Sequence, residues 1–217
     1  MSATVERILD TAAEPAIRGY LHRPDSPNGD ALVLAHSAGS NAQSPLLLAF
    51  AEAFAENRFT VLRIDLPFRQ ARPHGPPFPG MAAKDQQGIQ RAAKFLHESS
   101  DGRVFIGGHS YGGRQATMLA AEEPEIASGL LLLSYPLHPP RKPEQKRDAH
   151  FSKLQTPALF VHGSRDPFGS PEEMEQALKL IPASTELVIR EGAGHDLKGA
   201  DVTRLAIEKF VEFFGRA

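Results

Sequence analysis

The sequence contains no cysteine among its 217 residues, and this absence excludes several kinds of chemistry. Without thiols the chain forms no disulfides, holds no zinc through cysteine ligands and has no thiolate nucleophile. Covalent catalysis must then use Ser, Thr, Lys, Asp, Glu, His or Tyr.

Long apolar runs and an excess of one charge are also lacking. No stretch approaches the 18 consecutive apolar residues of a transmembrane helix, and the start, MSATVERILD, has no apolar signal-peptide core. The net charge of −2 provides no broad positive field for nucleic acid. The sequence therefore predicts a cytoplasmic protein without membrane or nucleic-acid partners.

Two kinds of ligand motif are missing as well. The histidines show no metal spacing such as H-E-x-x-H, and no phosphate-binding G-x-x-x-x-G-K-[S/T] loop occurs. The sequence therefore predicts no metal and no cofactor.

Short apolar runs alternate with segments of helical periodicity, which is typical of β-α-β units. Because the runs are apolar throughout, we expect helices to cover both faces of the sheet. The prediction is one α/β domain over residues 1–217, a three-layer sandwich with a mostly parallel twisted sheet. The predicted central strands are Ala31–His36, Phe59–Asp65, Arg103–His109, Gly129–Ser134, Ala158–His162 and Glu186–Arg190, with antiparallel edge strands around Ala3–Leu9 and Ala16–His22. The predicted helices are Ser44–Asn57, Ala82–Ser99, Tyr111–Glu122, Pro171–Leu180 and Asp201–Phe214.

Two proline-rich segments interrupt this alternation and are predicted to be loops. Residues Pro67–Gly80 contain five prolines, and Pro136–Lys153 contain four prolines and a basic cluster. Both follow predicted strands, and ligands of open parallel sheets bind outside the carboxyl ends of strands. We therefore expect these loops to form the walls of a site.

The most specific motif is GGHSYGG, which contains G-x-S-x-G around Ser110 between a predicted strand and a predicted helix. Such a turn strains the serine backbone and exposes the hydroxyl at the top of the sheet. Larger side chains at Gly108 and Gly112 would collide with neighbouring elements. The motif predicts Ser110 as a nucleophile; the alternative is a glycine-rich turn with an incidental serine.

A serine nucleophile needs a base and an acid that orients the base. His195 in EGAGHD follows the strand predicted to end at Arg190, and Asp166 in HGSRDP follows the strand before it. Either residue alone is more often structural or solvated. Their placement after successive strands, in the order Ser, Asp, His, favours a catalytic triad.

Acyl transfer also needs two N–H donors for the oxyanion. The backbone N–H of Tyr111, at the start of the helix, is one candidate. The turn HSAGS after the first central strand supplies the other, which we assign to Ala38 with Ser37 as the rival. The alternative is a plain turn of small residues.

With these motifs the sequence resembles the α/β-hydrolase fold superfamily. GHSYG, HGSRDPFG and GAGHDL match its nucleophile, acid and histidine regions in that order, and the resemblance covers residues from about 16 to 217. It is similar to the small branch of dienelactone-hydrolase-like proteins, which has no lid domain. About 20 residues separate the strands Gly129–Ser134 and Ala158–His162, which is too few for the lid of many relatives.

Four further segments, LAHSAGSN, RIDLPFR, GGHSYGGR and SYPLHPP, resemble a bacterial hydrolase group. That group is related to the hydrolase-like regions of a chromatin-complex subunit (the NSL complex subunit 3 type) and of a testis-expressed protein. Two features depart from the wider pattern. Dienelactone hydrolases use a cysteine nucleophile, and the turn that usually reads His-Gly reads His36-Ser37 here.

Three arginines are candidates for binding a substrate carboxylate or phosphate through a guanidinium fork. They are Arg69, after the second central strand, Arg72 in the first proline-rich segment, and Arg114, in the first turn of the helix after Ser110. The alternative is that such arginines form salt bridges that hold the first proline-rich loop. Because a cation in the first helical turn opposes the helix dipole, we expect Arg114 to have a partner, with Asp65 and Asp85 as guesses.

The segment after the strand Gly129–Ser134 contains further candidates. Tyr135, Leu137 and His138 either line an acyl pocket or belong to a plain loop. The sequence does not decide between these two interpretations.

The prediction is a serine hydrolase that cleaves a small-molecule carboxylic ester or thioester through an acyl-enzyme on Ser110, with His195 as the base and Asp166 as its orienting acid. Two alternatives stay open. One is a binding or scaffold module without catalysis, which the unusual His36-Ser37 turn favours. The other is an acyltransferase, amidase or peptidase that uses the same triad.

Overall fold

The computed structural model describes residues 3–199 and 201–215, and it confirms the predicted three-layer α/β arrangement. Within this part of the chain one sheet contains eight strands in the order β1-β2-β4-β3-β5-β6-β7-β8. Strands β3 to β8 run parallel, whereas β1 and β2 form an antiparallel edge beside β4. The strands are β1 Ala3–Asp10, β2 Ile17–Pro24, β3 Ala31–Ala35, β4 Thr60–Ile64, β5 Val104–His109, β6 Gly129–Leu133, β7 Ala158–Gly163 and β8 Thr185–Arg190.

Helices cover both faces of the sheet. Helices α1 and α6 bury one apolar cluster against the sheet, and α3, α4 and α5 bury the other. The helices are α1 Pro45–Glu56, α2 Pro67–Ala71, α3 Ala82–Ser99, α4 Tyr111–Glu122, α5 Pro171–Leu178 and α6 Val202–Phe214. The bounds of the predicted central strands differ by at most one residue from those observed.

The prediction that Pro67–Gly80 is a loop is wrong for its first five residues. They form α2, because Pro67 suits the first position of a helix and Phe68 and Arg69 are buried there. The Phe68 N–H, unpaired within so short a helix, donates to the Asp85 carboxylate at 2.9 Å. Residues 72–80 form the exposed remainder of the segment.

The sheet topology determines where functional groups meet. Strands β3 and β5 are neighbours, and the carboxyl ends of β3, β5, β7 and β8 all lie at one edge of the sheet. The predicted oxyanion turn, nucleophile, acid and base follow these four strands in that order. Between β6 and β7 the chain forms only one short 3-10 helix, Phe151–Lys153, and builds no lid domain.

No helix in residues 3–199 and 201–215 has both the length and the apolar character needed to cross a bilayer.

Phe210 on α6 is the centre of the aromatic cluster under the sheet. Its ring lies 4.6–5.7 Å, between centroids, from the rings of Phe54, Phe59, Phe105 and Phe214. These contacts join α1, α6 and β5, so the side chain holds the helical layer against the sheet.

We expect Phe210→Ala to lower the free energy of unfolding by about 3–5 kcal/mol, because it leaves a cavity among buried rings. The measurement is urea unfolding followed by circular dichroism. Val211→Ala is the matched control, since Val211 is 50% exposed on the same helix and its change should stay within about 0.5 kcal/mol. Equal losses in the two variants would contradict this account of the core.

Candidate active site

Ser110 occupies a sharp turn between β5 and α4. Its backbone has φ 52° and ψ −113°, a conformation that is strained for a residue with a side chain. The N–H of Ser110 donates to the Leu133 carbonyl at 2.8 Å, which keeps the turn attached to β6. Ser110 is 8% exposed, at the carboxyl edge of the sheet.

Glycines make this turn possible. Gly108 has φ 154°, and a Cβ there would collide with the Ala35 carbonyl of β3. A Cβ at Gly112 would lie 2.5 Å from the same oxygen. The collisions expected from the sequence at these two positions are confirmed.

The structure brings Ser110, His195 and Asp166 into one hydrogen-bonded row. The distance from His195 Nε2 to Ser110 Oγ is 2.8 Å. On the other side of the ring, His195 Nδ1 lies 2.8 and 3.0 Å from the two carboxylate oxygens of Asp166. Because Nδ1–H donates to the carboxylate, the Nε2 lone pair is free to accept the serine proton.

Asp166 is almost fully buried and held in place by its own loop. It is 6% exposed, and its Oδ1 also accepts the Phe168 N–H at 2.9 Å. His162 Nε2 lies 3.9 Å from Asp166 Oδ2 but donates to the Gly169 carbonyl at 2.9 Å. Burial lowers the pKa of His162, so the neutral ring supports the loop that contains Asp166.

Two residues that the sequence analysis missed position His195. The Phe168 ring lies 4.1 Å, between centroids, from the His195 ring and packs against it. His109 Nε2 donates to the His195 backbone carbonyl at 2.8 Å, and burial lowers the pKa of His109. His109 thereby ties the end of β5, directly before Ser110, to the loop that contains His195. Its position directly before Ser110 is the only signal in the sequence, and it does not reveal the contact.

The turn after β3 presents backbone N–H groups beside Ser110. Its loop is closed by a hydrogen bond from the Ser40 N–H to the Ser37 carbonyl at 3.1 Å. His36 Nε2 accepts the Leu66 N–H, so Nδ1–H donates to the Ser37 carbonyl at 2.8 Å. Within the described chain, the N–H groups of Ser37, Ala38 and Tyr111 are left unpaired and are available to an oxyanion.

Tyr111 is anchored through its side chain. Its hydroxyl donates to the Asp85 carboxylate at 2.7 Å, and its ring packs edge-on against Phe68. Burial raises the pKa of both Asp85 and the Tyr111 hydroxyl. This contact holds the first residue of α4, and hence its N–H group, against α2 and α3.

Arg69 does not reach the site, contrary to its candidacy as a substrate-binding residue. It is 4% exposed, and its three guanidinium nitrogens donate to the carbonyls of Ala38, Ser40, Arg72 and Gly75. The geometry favours the alternative interpretation, in which the arginine holds the first proline-rich segment in place. It does so through hydrogen bonds to backbone carbonyls and not through the expected salt bridges. Arg69 also fixes the turn that contains Ala38.

The candidates after β6 are packed into the protein. Tyr135, Leu137 and His138 are all buried. The Tyr135 hydroxyl donates to the Arg147 carbonyl at 2.6 Å, and His138 contacts the Pro139 carbonyl and Glu173. These contacts favour the plain-loop interpretation, in which the three residues anchor the second proline-rich segment.

Arg114 lies one turn after Ser110 and is half-buried, with a guanidinium that has no partner among the described residues. The expectation of an acidic partner is wrong. Asp85 is occupied by Tyr111 and Phe68, and Asp65 by Arg18 and the Ala42 N–H.

A cleft of about 490 Å³ opens beside Ser110 and His195, between the start of α1 and the start of α6. Ser37, His109 and Asp196 border it on the side of Ser110 and His195. Its apolar wall consists of Pro45, Leu46, Ala49, Leu197 and Val202. The arrangement places an apolar groove next to a paired serine and histidine.

Among the described residues, no group of three or more His, Asp or Glu side chains is placed to hold a metal ion.

A model of the family described as alpha/beta hydrolase domain matches residues 28–211. Two putative carboxymethylenebutenolidases, from Salmonella typhimurium and Escherichia coli, are 32% and 31% identical over 101 residues. Each match covers 43% of this chain and 36% of the relative, so the chain matches about a third of the length of these proteins.

Solved structures share the fold over nearly the whole chain. A dienelactone hydrolase from Anabaena variabilis has a TM-score of 0.79 at 22% identity and covers 99% of this chain and 98% of its own. Est1E from Butyrivibrio proteoclasticus with bound ferulic acid has a TM-score of 0.75 at 17% identity and covers 96% and 100%. At such identities the likeness concerns the fold.

We expect Gly112→Ala to lower the free energy of unfolding by about 1–3 kcal/mol, because the new methyl group meets the backbone of β3. The sign is informative, since alanine in place of glycine ordinarily stabilises a helix. Urea unfolding is the measurement. Gly39→Ala serves as the control because no atom lies within 4 Å of its added Cβ. A Gly112→Ala variant that is more stable than the wild type would show that the turn can accommodate a Cβ at this position.

Proposed function

This chain belongs to the alpha/beta hydrolase family, and on that premise we propose that it is a serine hydrolase acting on a carboxylic ester or thioester. The observation that carries the proposal is the hydrogen-bonded row from Ser110 Oγ through His195 to the buried Asp166 carboxylate. A serine hydroxyl is a weak nucleophile unless a base accepts its proton.

In the acylation step, His195 Nε2 takes the Ser110 proton as Oγ attacks the carbonyl carbon of the substrate. The resulting oxyanion accepts hydrogen bonds from the backbone N–H groups of Tyr111 and Ala38. The N–H of Ser37 is the alternative to that of Ala38 as the second donor. The tetrahedral intermediate then collapses, and the imidazolium gives its proton to the leaving alcohol or thiol. Ser110 remains esterified by the acyl group.

In the deacylation step, His195 takes a proton from water, and the oxygen of that water attacks the acyl carbonyl. Collapse of the second intermediate releases the carboxylic acid and returns the proton to Ser110. Asp166 orients His195 and stabilises the imidazolium that forms in each step. Its burial and its hydrogen bond from Phe168 keep the carboxylate in position.

Within the family, we place the chain in the small branch of dienelactone-hydrolase-like proteins, as one domain over residues 1–217. The names of its curated relatives, putative carboxymethylenebutenolidases, support hydrolysis of an ester bond. The relation to the NSL complex subunit 3 group and the cytoplasmic location stay predictions.

We propose that the cleft between α1 and α6 receives the apolar part of the substrate. Its apolar wall begins next to Ser37 and His109, which flank the reacting serine. Ala49 is exposed on α1 and lines the cleft, so its size limits the room for an acyl chain.

We expect a fluorophosphonate probe to label the wild-type protein on Ser110 and to leave Ser110→Ala unlabelled. Hydrolysis of 4-nitrophenyl esters should fall to background in the same variant. Asp166→Asn should lower kcat by about 10³- to 10⁴-fold because the amide favours the wrong imidazole tautomer. The measurements are gel fluorescence with mass spectrometry and steady-state kinetics.

Equal labelling of wild type and Ser110→Ala would overturn Ser110 as the nucleophile. Absence of labelling and of turnover for a broad ester panel would favour the scaffold alternative. Turnover of amides, or acyl transfer to an added alcohol in preference to water, would favour the amidase or acyltransferase alternatives.

We expect Ala49→Trp to fill the cleft and to lower kcat/KM for 4-nitrophenyl octanoate by about tenfold or more, with the acetate ester changed less than about threefold. The control is Leu48→Trp, a neighbour on α1 that does not line the cleft. If kcat/KM depends on acyl-chain length in the same way for the wild type and both variants, the acyl chain binds elsewhere.

A further inference from the structure

Strand β8 is the last strand of the sheet, and among the described residues it pairs only with β7. Its Arg190 carbonyl accepts the Ser164 N–H on the side of β7. Because successive backbone groups of a strand point in opposite directions, the N–H and C=O groups of Leu187 and Ile189 face away from β7. In the described chain no hydrogen bond reaches these groups, so they form an open edge.

The centre of β8 is apolar, although the strand lies at an edge of the sheet. Leu187 and Ile189 are both half-exposed there. Soluble proteins usually protect such an edge with charged residues, proline or a bulge. The outer strand at the other end of the sheet, β1, follows this rule because Glu6 and Arg7 occupy its centre. Strand β8 lacks this protection and is a template for pairing with another strand.

The sequence ELVIR of β8 is complementary to itself in the antiparallel direction. A two-fold axis that passes through Val188, normal to the sheet, places Val188 opposite its own copy and Leu187 opposite Ile189 of the second copy. At both ends of the contact it places Glu186 opposite Arg190 of the second copy. Residues opposite each other in an antiparallel pair share a face, where apolar pairs and unlike charges stabilise the contact.

The backbone of β8 fits the same register. The axis pairs Leu187 with Ile189 of the second copy, and these are the residues whose N–H and C=O groups face outward. Opposite residues of this kind exchange both N–H···O bonds in an antiparallel ladder. If the axis passed through Leu187, Glu186 would oppose Val188, and if it passed through Ile189, Arg190 would oppose Val188. The register centred on Val188 is therefore favoured by both backbone and side chains.

A cleft of about 440 Å³ lies beside the open edge, between α5 and β8. Its apolar lining consists of Leu178, Ile181 and Leu187. In the register described above, Ile189 of the second copy lies directly opposite Leu187, on the same face of the sheet. Its side chain therefore closes this cleft and buries apolar surface of both copies.

The charged ends of β8 retain donors and acceptors for a second copy. The Nε and Nη2 atoms of Arg190 lie 3.0 and 2.8 Å from Asp201 Oδ1, and its Nη1 donates to the Glu191 carbonyl. Since a guanidinium has five N–H donors, one N–H on each terminal nitrogen is left for a further carboxylate. The Glu186 carboxylate is half-buried, and its Oε1 lies 3.8 Å from Lys209 Nζ, which is longer than a hydrogen bond.

We propose that a second copy of this chain docks on β8, so that two sheets join into one continuous antiparallel-paired sheet across a two-fold axis at Val188. The occupant of the open edge is thus β8 of the second copy, bound through its backbone, its apolar centre and its two charged ends. Strand β8 leads into the loop that contains His195, so the interface lies at the start of that loop. The proposal does not depend on the proposed hydrolysis.

The first test measures mass and amide protection. Sedimentation equilibrium should give twice the chain mass of 23.6 kDa, with dissociation on dilution. The amides of Leu187 and Ile189 should be protected from hydrogen exchange in the dimer and should lose this protection on dilution. A protein that stays monomeric up to about 100 μM, or a dimer in which these amides exchange freely, would overturn the proposal. Protection of the same amides in a monomer would show that the chain covers its own edge, which would overturn the second copy as the occupant.

Charge reversal tests the register. Glu186→Lys opposes two cations at each end of the contact, and Arg190→Glu opposes two carboxylates, so each variant alone should raise the dissociation constant of the dimer by about tenfold or more. An equimolar mixture of the two variants should recover the dimer, because a mixed dimer opposes unlike charges at both ends. This recovery would also show that both variants are folded.

Glu6→Lys is the matched control, since it makes the same charge reversal on β1 at the other end of the sheet. It should leave the dissociation constant unchanged. A mixture of Glu186→Lys and Arg190→Glu that dissociates as readily as its components, or a Glu6→Lys variant that dissociates equally, would overturn the pairing through β8.

Discussion

The site depends on one strained residue, Ser110, held at φ 52° between a strand and a helix. That conformation persists because the neighbouring backbones approach so closely that only glycine fits at Gly108 and Gly112. One turn then has three consequences. It directs Oγ to His195 Nε2, starts α4 so that the Tyr111 N–H is unpaired, and brings Arg114 beneath the serine. The strain is balanced by the packing of α4 on β3 and β5, which is a property of the whole layer.

Three neutral histidines hold the loops around this serine. His36 donates to the Ser37 carbonyl in the turn after β3, His109 to the His195 carbonyl in the loop after β8, and His162 to the Gly169 carbonyl in the loop after β7. Burial lowers the pKa of all three, so their rings are neutral near pH 7. Hydrogen bonds from these histidines to backbone carbonyls thus hold the loops in place without adding charge to the site.

Much of the fold was predictable because its signals are local. Each apolar run such as GLLLL lies within one residue of an observed strand, since a strand buried on both faces needs apolar side chains throughout. Helix α2 was missed because proline marks both loops and helix starts, and burial of Phe68 decides between them. The sequence left open whether the side chains of Arg69, Tyr135 and His138 line the site or fix a loop, because proximity along the chain to a strand end does not reveal which way a long side chain turns.

The sequence by itself determined the order of elements, the absence of thiol chemistry and the three residues Ser110, Asp166 and His195 as a set, because these follow from residue types and their spacing. Only the tertiary structure decided the contacts between these three residues and which arginine has hydrogen-bond acceptors for its guanidinium group. Arg69 and Arg114 are both arginines near strand ends, yet one meets four carbonyls and the other meets none in the described chain. Whether a guanidinium finds acceptors depends on which carbonyl or carboxylate oxygens of distant segments lie within about 3 Å of it, and only the packing of the chain decides this.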